Sequence, residues 1–477
     1  MNVCRVGDRR SGVLLALLFL VSQTSRGAAP APGSLEAKIA ALHSRPNIVF
    51  ILADDLGYGE LGCYGQDKIK TPNLDRIAAE GVRFTQCYAG SPVCAPSRAV
   101  LMTGRHVGHV SIRGNASVPL ATNETTVAEV LHQAGYQTAL IGKWGLGLTN
   151  TPSTPDRRGF DLCLAFLDQH HAHDYYPTYL WRSSTFGDEP EPLFKYDLSW
   201  NQNGAKGKYV QDLFTQAATN FIRGAKYKPF FLYLAYTLPH ANNELKDQGM
   251  QVPSDAPYSS EPWPQPEKNK AAMITRLDQD VGAILAQLKA LRLESNTVLF
   301  FSSDNGPHNE GGAKAAFFHS SGPLRGVKRD LYEGGIRVPM IARWPGKIPA
   351  GSTSTQVWSF CDFLPTAADL AAVKAPGDID GLSMLPALLG KKQTNQHAFL
   401  YWEFHEKGSK QAVRWGDWKA VRLAPGAPLE LYNLTKDLGE TMNVAAAHPD
   451  IIARIDAYLK TARTDSREWP LALGSDP

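Results

Sequence analysis

The sequence predicts an α/β fold, in which a large, doubly wound, mostly parallel β-sheet flanked by helices is followed by a smaller α+β part with an antiparallel sheet. Two features of the 477-residue chain carry this prediction. Between about residues 45 and 343, uninterrupted apolar runs alternate with helical patterns, which is typical of parallel strands buried on both faces. After about residue 373, short strand-like runs are separated by Gly and Asp turns, which indicates a small antiparallel sheet.

The first predicted strand is the apolar run 48–53, and it ends directly in Asp54 and Asp55. Two carboxylates at the end of a buried strand are costly unless a positive group holds them. In open α/β sheets, ligands bind at the carboxyl ends of the strands. This acidic pair is therefore a candidate binding site rather than a solvated turn.

A helix opened by Pro72 and a strand over 82–89 lead into a loop that carries Cys94. Pro96 suits the first turn of a short helix, and Gly104 suits its end. A cysteine at a helix N-terminus has a lowered thiol pKa and can act as a nucleophile. The alternative is a half-buried structural cysteine.

Three later strands bring polar residues to their carboxyl ends in the same way. Lys143 follows strand 136–141, His240 follows strand 229–237, and Asp304 and Asn305 follow strand 297–302. Because parallel strands share one carboxyl edge, we expect these side chains to converge with Asp54, Asp55 and Cys94.

Three helices are also predicted. A capping box opens a helix after residue 126, an apolar stripe predicts another helix over 274–291, and a closing helix is predicted over 449–461.

The segment 168–181 combines histidines and aromatic residues on a loop that contains a proline. Its candidate substrate contacts are His170, His171, His173, Tyr175 and Tyr176. Aromatic faces stack on sugar rings, and imidazoles hydrogen-bond to hydroxyl or sulfate groups. A zinc site lacks partners at the usual spacings, whereas a loop that packs its aromatic rings inward stays an alternative. Segments 182–208 and 241–266 are predicted to be surface loops, the second at the edge that carries the site.

Several of these segments resemble the motifs of one family. Cys94-x-Pro-Ser-Arg, followed by Leu101-x-Thr-Gly-Arg, resembles the signature of the type I sulfatases. The run from Ile51 to Gly59 resembles their first metal motif, the segment Gly135 to Trp144 their second signature, and Ser303 to Gly306 their other metal motif. The resemblance implies an alkaline-phosphatase-like fold and the hydrolysis of sulfate esters.

The resemblance also implies how these residues act. A maturing enzyme oxidises Cys94 to formylglycine, whose hydrate is the nucleophile. The metal ligands are Asp54, Asp55, Asp304, Asn305 and the residue formed from Cys94, a largely oxygen donor set that suits Ca²⁺, with Mg²⁺ as the alternative. Arg98 holds the hydrate, Lys143 and Lys328 neutralise the sulfate, and His240 or Lys328 protonates the leaving alcohol. Together with His173 and Tyr175 of the aromatic segment, His240 and Lys328 are the predicted substrate-binding residues.

The sequence departs from the family pattern at Gly145, where the family often has a histidine beside the nucleophile. We expect one of the three histidines at 170, 171 and 173 to compensate, and we prefer His173. It would serve either as a base near its usual pKa of about 6.5 or as a sugar ligand.

Two other functions remain open at this point. A phosphatase or phosphodiesterase of the same superfamily shares the metal carboxylates but usually carries Ser or Thr where Cys94 stands. A sulfated-glycan-binding protein in which Cys94 is never converted would be catalytically silent. The substrate is equally open, since a steroid, an aryl sulfate, a glycosaminoglycan and an algal polysaccharide all fit, although the aromatic loop favours a carbohydrate.

Residues 1–28 resemble a signal peptide, with arginines before a short apolar run and small residues after it. We therefore expect an exported protein, periplasmic or secreted, or one on the lysosomal or ER route in a eukaryote, without a membrane span.

The catalytic domain is predicted over 45–372 and a C-terminal domain over 373–477. The signal segment carries the whole net charge of +3, so the mature protein lacks the basic field that nucleic acid requires. Cys63, Cys87, Cys163 and Cys361 are expected to be buried thiols, with at most two bridges.

Overall fold

The computed structural model describes residues 45–187 and 189–473, and the predicted signal peptide lies outside this part of the chain. Eleven strands form the large sheet: β1 (Asn47–Ala53), β2 (Val82–Tyr88), β3 (Gln137–Lys143), β4 (Leu162–Phe166), β5 (Tyr179–Ser184), β6 (Glu191–Asp197), β7 (Phe230–Ala235), β8 (Thr297–Ser303), β9 (Arg337–Arg343), β10 (Ser352–Ser354) and β11 (Trp358–Ser359). Four more strands form an antiparallel sheet: β12 (Leu400–Phe404), β13 (Lys410–Trp415), β14 (Trp418–Arg422) and β15 (Glu430–Asn433).

Helices cover both faces of the large sheet. In chain order they are α1 (Pro72–Ala79), α2 (Cys94–Thr103), α3 (Val127–Gln133), α4 (Val210–Ala225), α5 (Gln265–Ala290), α6 (Glu333–Ile336), α7 (Phe363–Leu370), α8 (Leu385–Leu388) and α9 (Pro449–Leu459). The predicted capping box opens α3, where Glu129 N donates to Thr126 Oγ1 over 3.1 Å and Thr126 N donates to Glu129 Oε2 over 2.7 Å. The predicted apolar stripe is buried along α5.

The large sheet has the order β10-β2-β9-β8-β1-β7-β3-β4-β5-β6, with β11 also paired to β2. Its centre is parallel, because β1 pairs in parallel with β7 and β8, and β3 pairs in parallel with β4 and β7. All seven residues of β1 are buried, as its unbroken apolar sequence predicts. Two apolar clusters lie on opposite faces of this sheet. The predicted doubly wound, mostly parallel α/β architecture is therefore confirmed.

The register of the central strands aligns their carboxyl ends. Ala53 of β1 lies opposite Ser303 of β8, and Leu52 of β1 and Gly142 of β3 both lie opposite Ala235 of β7. The residues that follow these strands therefore emerge side by side. Gly142 has φ +112°, and a Cβ there would lie 1.9 Å from the Ala235 carbonyl oxygen, so only glycine permits this approach.

The structure corrects the prediction of a surface loop over 182–208. This segment contains the end of β5, which pairs antiparallel with β4, and all of β6, which pairs antiparallel with β5. Most residues of β6 are exposed or half-buried because β6 is the edge strand, so the sequence lacks the apolar signal of the central strands.

The antiparallel sheet packs directly on the large one. Trp402 Nε1 of β12 donates to the Ala89 carbonyl oxygen over 2.9 Å, and Arg414 of β13 donates to the hydroxyl of Tyr88. Apolar residues of both sheets belong to one buried cluster. The sequence pattern that changes near residue 373 thus marks the change from the parallel to the antiparallel sheet, and both sheets share one core. The division into domains 45–372 and 373–477 stays a prediction.

The five cysteines of the described residues are free thiols, so they form no disulfide with one another. Four are buried and Cys63 is half-buried, as expected for structural thiols. Within residues 45–187 and 189–473, no helix combines the length and apolar character that a membrane crossing requires.

Candidate active site

Asp54 and Asp55 stand side by side at the carboxyl end of β1, and both side chains are fully buried. The backbone of Asp55 is left-handed, with φ 64°. This conformation is uncommon outside glycine and is held by its surroundings, since Asp55 N donates to Asp304 Oδ1 over 3.1 Å. The two carboxylates contact different sets of partners.

Asp54 makes contacts with the nucleophile candidate and two cations. Its Oδ1 lies 3.2 Å from Cys94 Sγ, and its Oδ2 accepts from Lys143 Nζ over 2.7 Å and lies 3.4 Å from an Arg98 guanidinium nitrogen. Burial alone raises the pKa of Asp54, but Lys143, His240 and Arg98 outweigh it and hold the pKa well below its usual range. Asp54 is therefore ionised.

Asp55 faces the opposite side of the site. Its Oδ1 accepts from Asn305 Nδ2 over 2.7 Å, and its Oδ2 accepts from Lys328 Nζ over 2.8 Å and lies 3.5 Å from His240 Nε2. Burial lowers the pKa of Lys328, but Asp55 outweighs it and raises that pKa above its usual range. Lys328 is thus an ammonium ion with an anionic partner.

Asp304 and Arg98 close the site from β8 and α2. Arg98 donates from Nε and Nη2 to Asp304 Oδ2 over 3.0 and 2.7 Å, and both side chains are fully buried. Burial, followed by the charge of Asp54, raises the pKa of Asp304 to about 7. Three carboxylates and three cations thus meet in one buried cluster, which the register of the strands brings together.

Cys94 is the first residue of α2, and it is 1% exposed. The expectation of a lowered thiol pKa at this helix end is wrong. Burial and the neighbouring Asp54 raise the pKa of Cys94 well above its usual value, although Lys143 opposes them. Desolvation of the thiolate outweighs the helix dipole here, so the unmodified thiol is a poor nucleophile.

His240 lies beside Lys328 with a defined tautomer. Its Nδ1 lies 2.6 Å from the carbonyl oxygen of Ala241, which can only accept, so Nδ1 carries the proton. Its Nε2 is the acceptor that faces Lys328 Nζ at 3.1 Å. Burial, then Lys328, lowers the pKa of His240 well below its usual value, so the imidazole is neutral at neutral pH.

Of the three histidines expected to compensate for Gly145, the structure brings His173 into contact with the site. Its ring stacks on His240 with centroids 4.6 Å apart. His170 is largely exposed, and His171 packs against Tyr179. The space beside Gly145 is filled by Gln169, whose Nε2 lies 2.1 Å from where a Cβ would stand.

Tyr175 corrects another expectation, because it cannot form a wall that stacks on a sugar. Its ring is fully buried, and its hydroxyl lies 2.8 Å from the Thr237 carbonyl oxygen and 2.6 Å from that of His240. Tyr175 therefore positions the backbone of His240 instead of contacting substrate. The inward-packing alternative describes this residue correctly.

Four polar residues next to the site belong to none of the predicted motifs. They are Glu310 and Arg329, which extend outward from Lys328, Glu244, which contacts His173, and His308, which packs near His240. Glu310 and His308 follow Asn305 within five residues. Their closeness in sequence to a predicted strand end is the feature that could have identified them as site residues.

The residues present fit a hard divalent cation. Asp54, Asp55, Asp304 and Asn305 offer oxygen donors, and Asn305 Oδ1 is buried without a hydrogen-bond partner among the described residues. An orphaned buried acceptor is costly and needs a positive or donating group. Single ligand atoms of Asp54, Asp55, Cys94 and His240 also lie within 4.8 Å of one another. The four oxygen-donor side chains suit Ca²⁺ or Mg²⁺ better than zinc.

Comparison with known proteins gives concordant matches over most of the chain. Residues 46–373 match the family model described as Sulfatase, and residues 327–465 match the model described as N-sulphoglucosamine sulphohydrolase, C-terminal. N-acetylgalactosamine-6-sulfatase of Canis lupus familiaris is 34% identical over 439 residues, which cover 85% of this chain and 74% of the relative. N-acetylgalactosamine-6-O-sulfatase of Bacteroides thetaiotaomicron is 30% identical, covering 88% of this chain and 93% of the relative. The crystal structure of Ps i-CgsB in complex with k-i-k-neocarrahexaose has a TM-score of 0.76 and 30% identity, covering 90% of this chain and 95% of that chain.

Proposed function

The chain belongs to the sulfatase family and is a sulfate-ester hydrolase, and from this premise we propose that it acts on a sulfated carbohydrate through a formylglycine made from Cys94 and a bound Ca²⁺. The observation that supports this most is the buried convergence of Asp54, Asp55 and Asp304 with Arg98, Lys143 and Lys328 around Cys94. A sulfate ester resists nucleophilic attack because its own oxygens repel the nucleophile. Fixed cationic donors beside the sulfate, here those of Arg98, Lys143 and Lys328, reduce that repulsion.

The metal would be held by Asp54, Asp55, Asp304 and Asn305, with Mg²⁺ as the alternative to Ca²⁺. When bound, such a cation supplies a Lewis acid for a sulfate oxygen and lowers the pKa of an oxygen nucleophile. The orphaned Asn305 Oδ1 would gain its missing partner there. Burial and charge repulsion now raise the pKa of Asp304, and a cation beside it would favour the ionised form.

The raised pKa of the Cys94 thiol supports its role as a precursor, because the thiol itself is disfavoured as a nucleophile. Formylglycine would supply a hydrated aldehyde as an oxygen nucleophile at the same position. Since Cys94 is 1% exposed within the folded chain, a formylglycine-generating or sulfatase-maturing enzyme would have to act before folding is complete. This partner, and export to the periplasm or the exterior, belong to the proposal.

The proton for the leaving alcohol would come from Lys328. His240 cannot donate from Nε2 as a neutral imidazole, because its proton is on Nδ1 and is held by the Ala241 carbonyl. Lys328 Nζ lies 3.1 Å from that Nε2 and 2.8 Å from Asp55 Oδ2, so it carries protons at the place where the alcohol would leave. His240 would then orient Lys328 and accept a hydrogen bond. Lys143 and Arg98, on the other side of Cys94, would hold the sulfate and the hydrate.

A carbohydrate is the substrate class that the surroundings favour. His173, Glu244, Glu310 and Arg329 present hydrogen-bonding groups outside the sulfate position, as hydroxyl-rich sugars require. Two relatives carry names that refer to N-acetylgalactosamine 6-sulfate, and one solved structure was determined with a neocarrahexaose.

The test is sulfate release from a panel of monosulfated sugars by protein co-produced with a maturing enzyme. The peptide that contains Cys94 is analysed by mass spectrometry in the same preparation, where the aldehyde form is lighter than the thiol form. We expect sulfate release in proportion to the converted fraction. Converted protein that releases phosphate from phosphate esters but no sulfate, or that binds sulfated glycans without turnover, would overturn the proposal.

Replacing His173 by Ala tests whether this residue compensates for Gly145. As a base, His173 would contribute mainly to kcat, whereas as a uniform sugar ligand it would contribute to KM alone. Because the neutral ring of His173 stacks on His240, we expect a rise of KM by about tenfold with a smaller change in kcat. The measurement is steady-state kinetics on the best sugar of the panel, with His170→Ala as the exposed control. An unchanged KM and kcat would exclude both roles.

A further inference from the structure

Two short chains of polar contacts lead to the surface from the predicted site residues Lys328 and His240. Their outer members Glu310, Arg329, Glu406 and Glu244 are not among the predicted site residues. The first arm runs from Lys328 through Glu310 and Arg329 to Glu406. Lys328 Nζ lies 3.3 Å from Glu310 Oε2, and Arg329 binds Glu310 Oε1 over 2.5 Å and Glu406 Oε2 over 2.8 Å. Side-chain exposure rises from 2% at Lys328 to 41% at Arg329, so this arm reaches solvent.

The first arm is fixed next to the nucleophile. Arg329 has a left-handed backbone, with φ 76°, and its N–H donates to the Pro92 carbonyl oxygen over 3.0 Å. Pro92 belongs to the loop that delivers Cys94. The guanidinium of Arg329 is paired with two carboxylates, which offset its positive charge and weaken its attraction for an anion.

The second arm runs from His240 through His173 to Glu244. His173 stacks on His240, and its Nδ1 donates to Glu244 Oε1 over 3.1 Å. Glu244 is 55% exposed. Burial and the nearby Lys143 lower the pKa of His173, so its ring is neutral and leaves the charge of Glu244 uncancelled. Asp174 and Lys206 also act on this region, and their opposite charges offset each other.

Outward of the buried site, carboxylates outnumber cations along the two arms. Lys328, where the first arm begins, is paired with Asp55 Oδ2 at 2.8 Å, and beyond it the carboxylates of Glu310, Glu406 and Glu244 stand against the single guanidinium of Arg329. These four outer groups carry a net charge of about −2 beside the place where the alcohol part of the substrate would leave. Carboxylates and a guanidinium fit neutral hydroxyls as acceptors and donors, but a second anion there meets repulsion.

We propose that the sugar residue that bears the scissile sulfate is otherwise uncharged, because the Glu310–Arg329–Glu406 and His173–Glu244 arms select hydroxyls and reject a second sulfate or a carboxylate next to the ester. This inference rests on the proposed function. It names the substrate class as a monosulfated neutral sugar, and it makes Glu244 and Glu406 specificity-determining residues.

The experiment compares two substrates that differ by one charge. Values of kcat/KM are measured for a monosulfated neutral sugar and for the same sugar with a second sulfate on the same ring. We expect the neutral sugar to be preferred by about tenfold or more at low ionic strength, and the preference to shrink as salt screens the repulsion. Glu244→Gln and Glu406→Gln should each reduce the preference severalfold, mainly through KM of the doubly charged substrate.

The matched control is Glu191→Gln. Glu191 of the edge strand β6 pairs with Arg182 of β5 over 3.0 Å, at an exposure close to that of the Arg329–Glu406 pair. It should leave the preference unchanged. Equal hydrolysis of both sugars by the unmodified protein, or a preference that neither glutamine variant reduces, would overturn the inference while leaving the sulfatase function intact. Absence of sulfate release from every sugar would instead overturn the proposed function and this inference with it.

Discussion

Replacing Cys94 by Ala is expected to abolish sulfate release while the fold stays intact. The variant lacks any precursor of the oxygen nucleophile, so activity should fall by a factor on the order of 10⁴ or more, as for loss of a covalent catalyst. Loss of one buried sulfur atom should cost about 1 kcal/mol of stability. The measurements are a urea unfolding curve and sulfate release by the variant and the parent protein, each co-produced with the maturing enzyme.

Cys94→Ser distinguishes the formylglycine mechanism from simple nucleophilic catalysis. A serine ester has no second hydroxyl on its carbon and cannot expel sulfate by returning to an aldehyde, so we expect no multiple turnover and a sulfated serine that mass spectrometry detects. Cys361→Ala is the control, because Cys361 is a buried thiol near Ser359 and outside the site. Full turnover by either Cys94 variant would contradict the mechanism.

Asp55→Asn is expected to have the second-largest effect. The substitution keeps the shape of the side chain but removes the charge that holds Lys328 at 2.8 Å and contributes to the proposed metal site. We expect Ca²⁺ affinity and kcat each to fall by about 100-fold or more. Calorimetric titration of chelator-treated protein with Ca²⁺ measures the first effect, and sulfate release at saturating Ca²⁺ measures the second.

Asp278→Asn is the matched control for this variant. Asp278 is also a buried aspartate, but it lies on α5 and its carboxylate accepts from Leu74 N and Asn73 Nδ2 of α1, helices that supply none of the site residues. It should change stability without changing Ca²⁺ binding. If Asp55→Asn binds Ca²⁺ and turns over like the unmodified protein, Asp55 is neither a ligand nor the partner that holds Lys328 for catalysis.

Local sequence patterns identified the central strands β1, β3, β7 and β8 and the places where they end. Unbroken apolar runs such as that of β1 specify strands buried on both faces, and polar residues directly after them must lie at the carboxyl edge. For this reason the sequence alone places Asp54, Lys143 and Asp304 at one edge of the sheet. The capping box of α3 joins Thr126 and Glu129, three residues apart, so the sequence alone also predicted where this helix begins.

The tertiary structure alone decided which side chains are buried and what they face. The aromatic segment could predict that Tyr175 lies near the site, but its depth depends on packing against β7, so the structure shows it supporting His240 instead of facing a sugar. The sign of the Cys94 pKa shift likewise depends on burial and on Asp54, which is distant in sequence. The Glu310–Arg329–Glu406 and His173–Glu244 arms likewise join residues that are distant in sequence. The alternation and spacing of apolar and polar residues describe only a few neighbouring positions. Charge, burial and hydrogen bonding at this site arise between strands that only the folded sheet brings together.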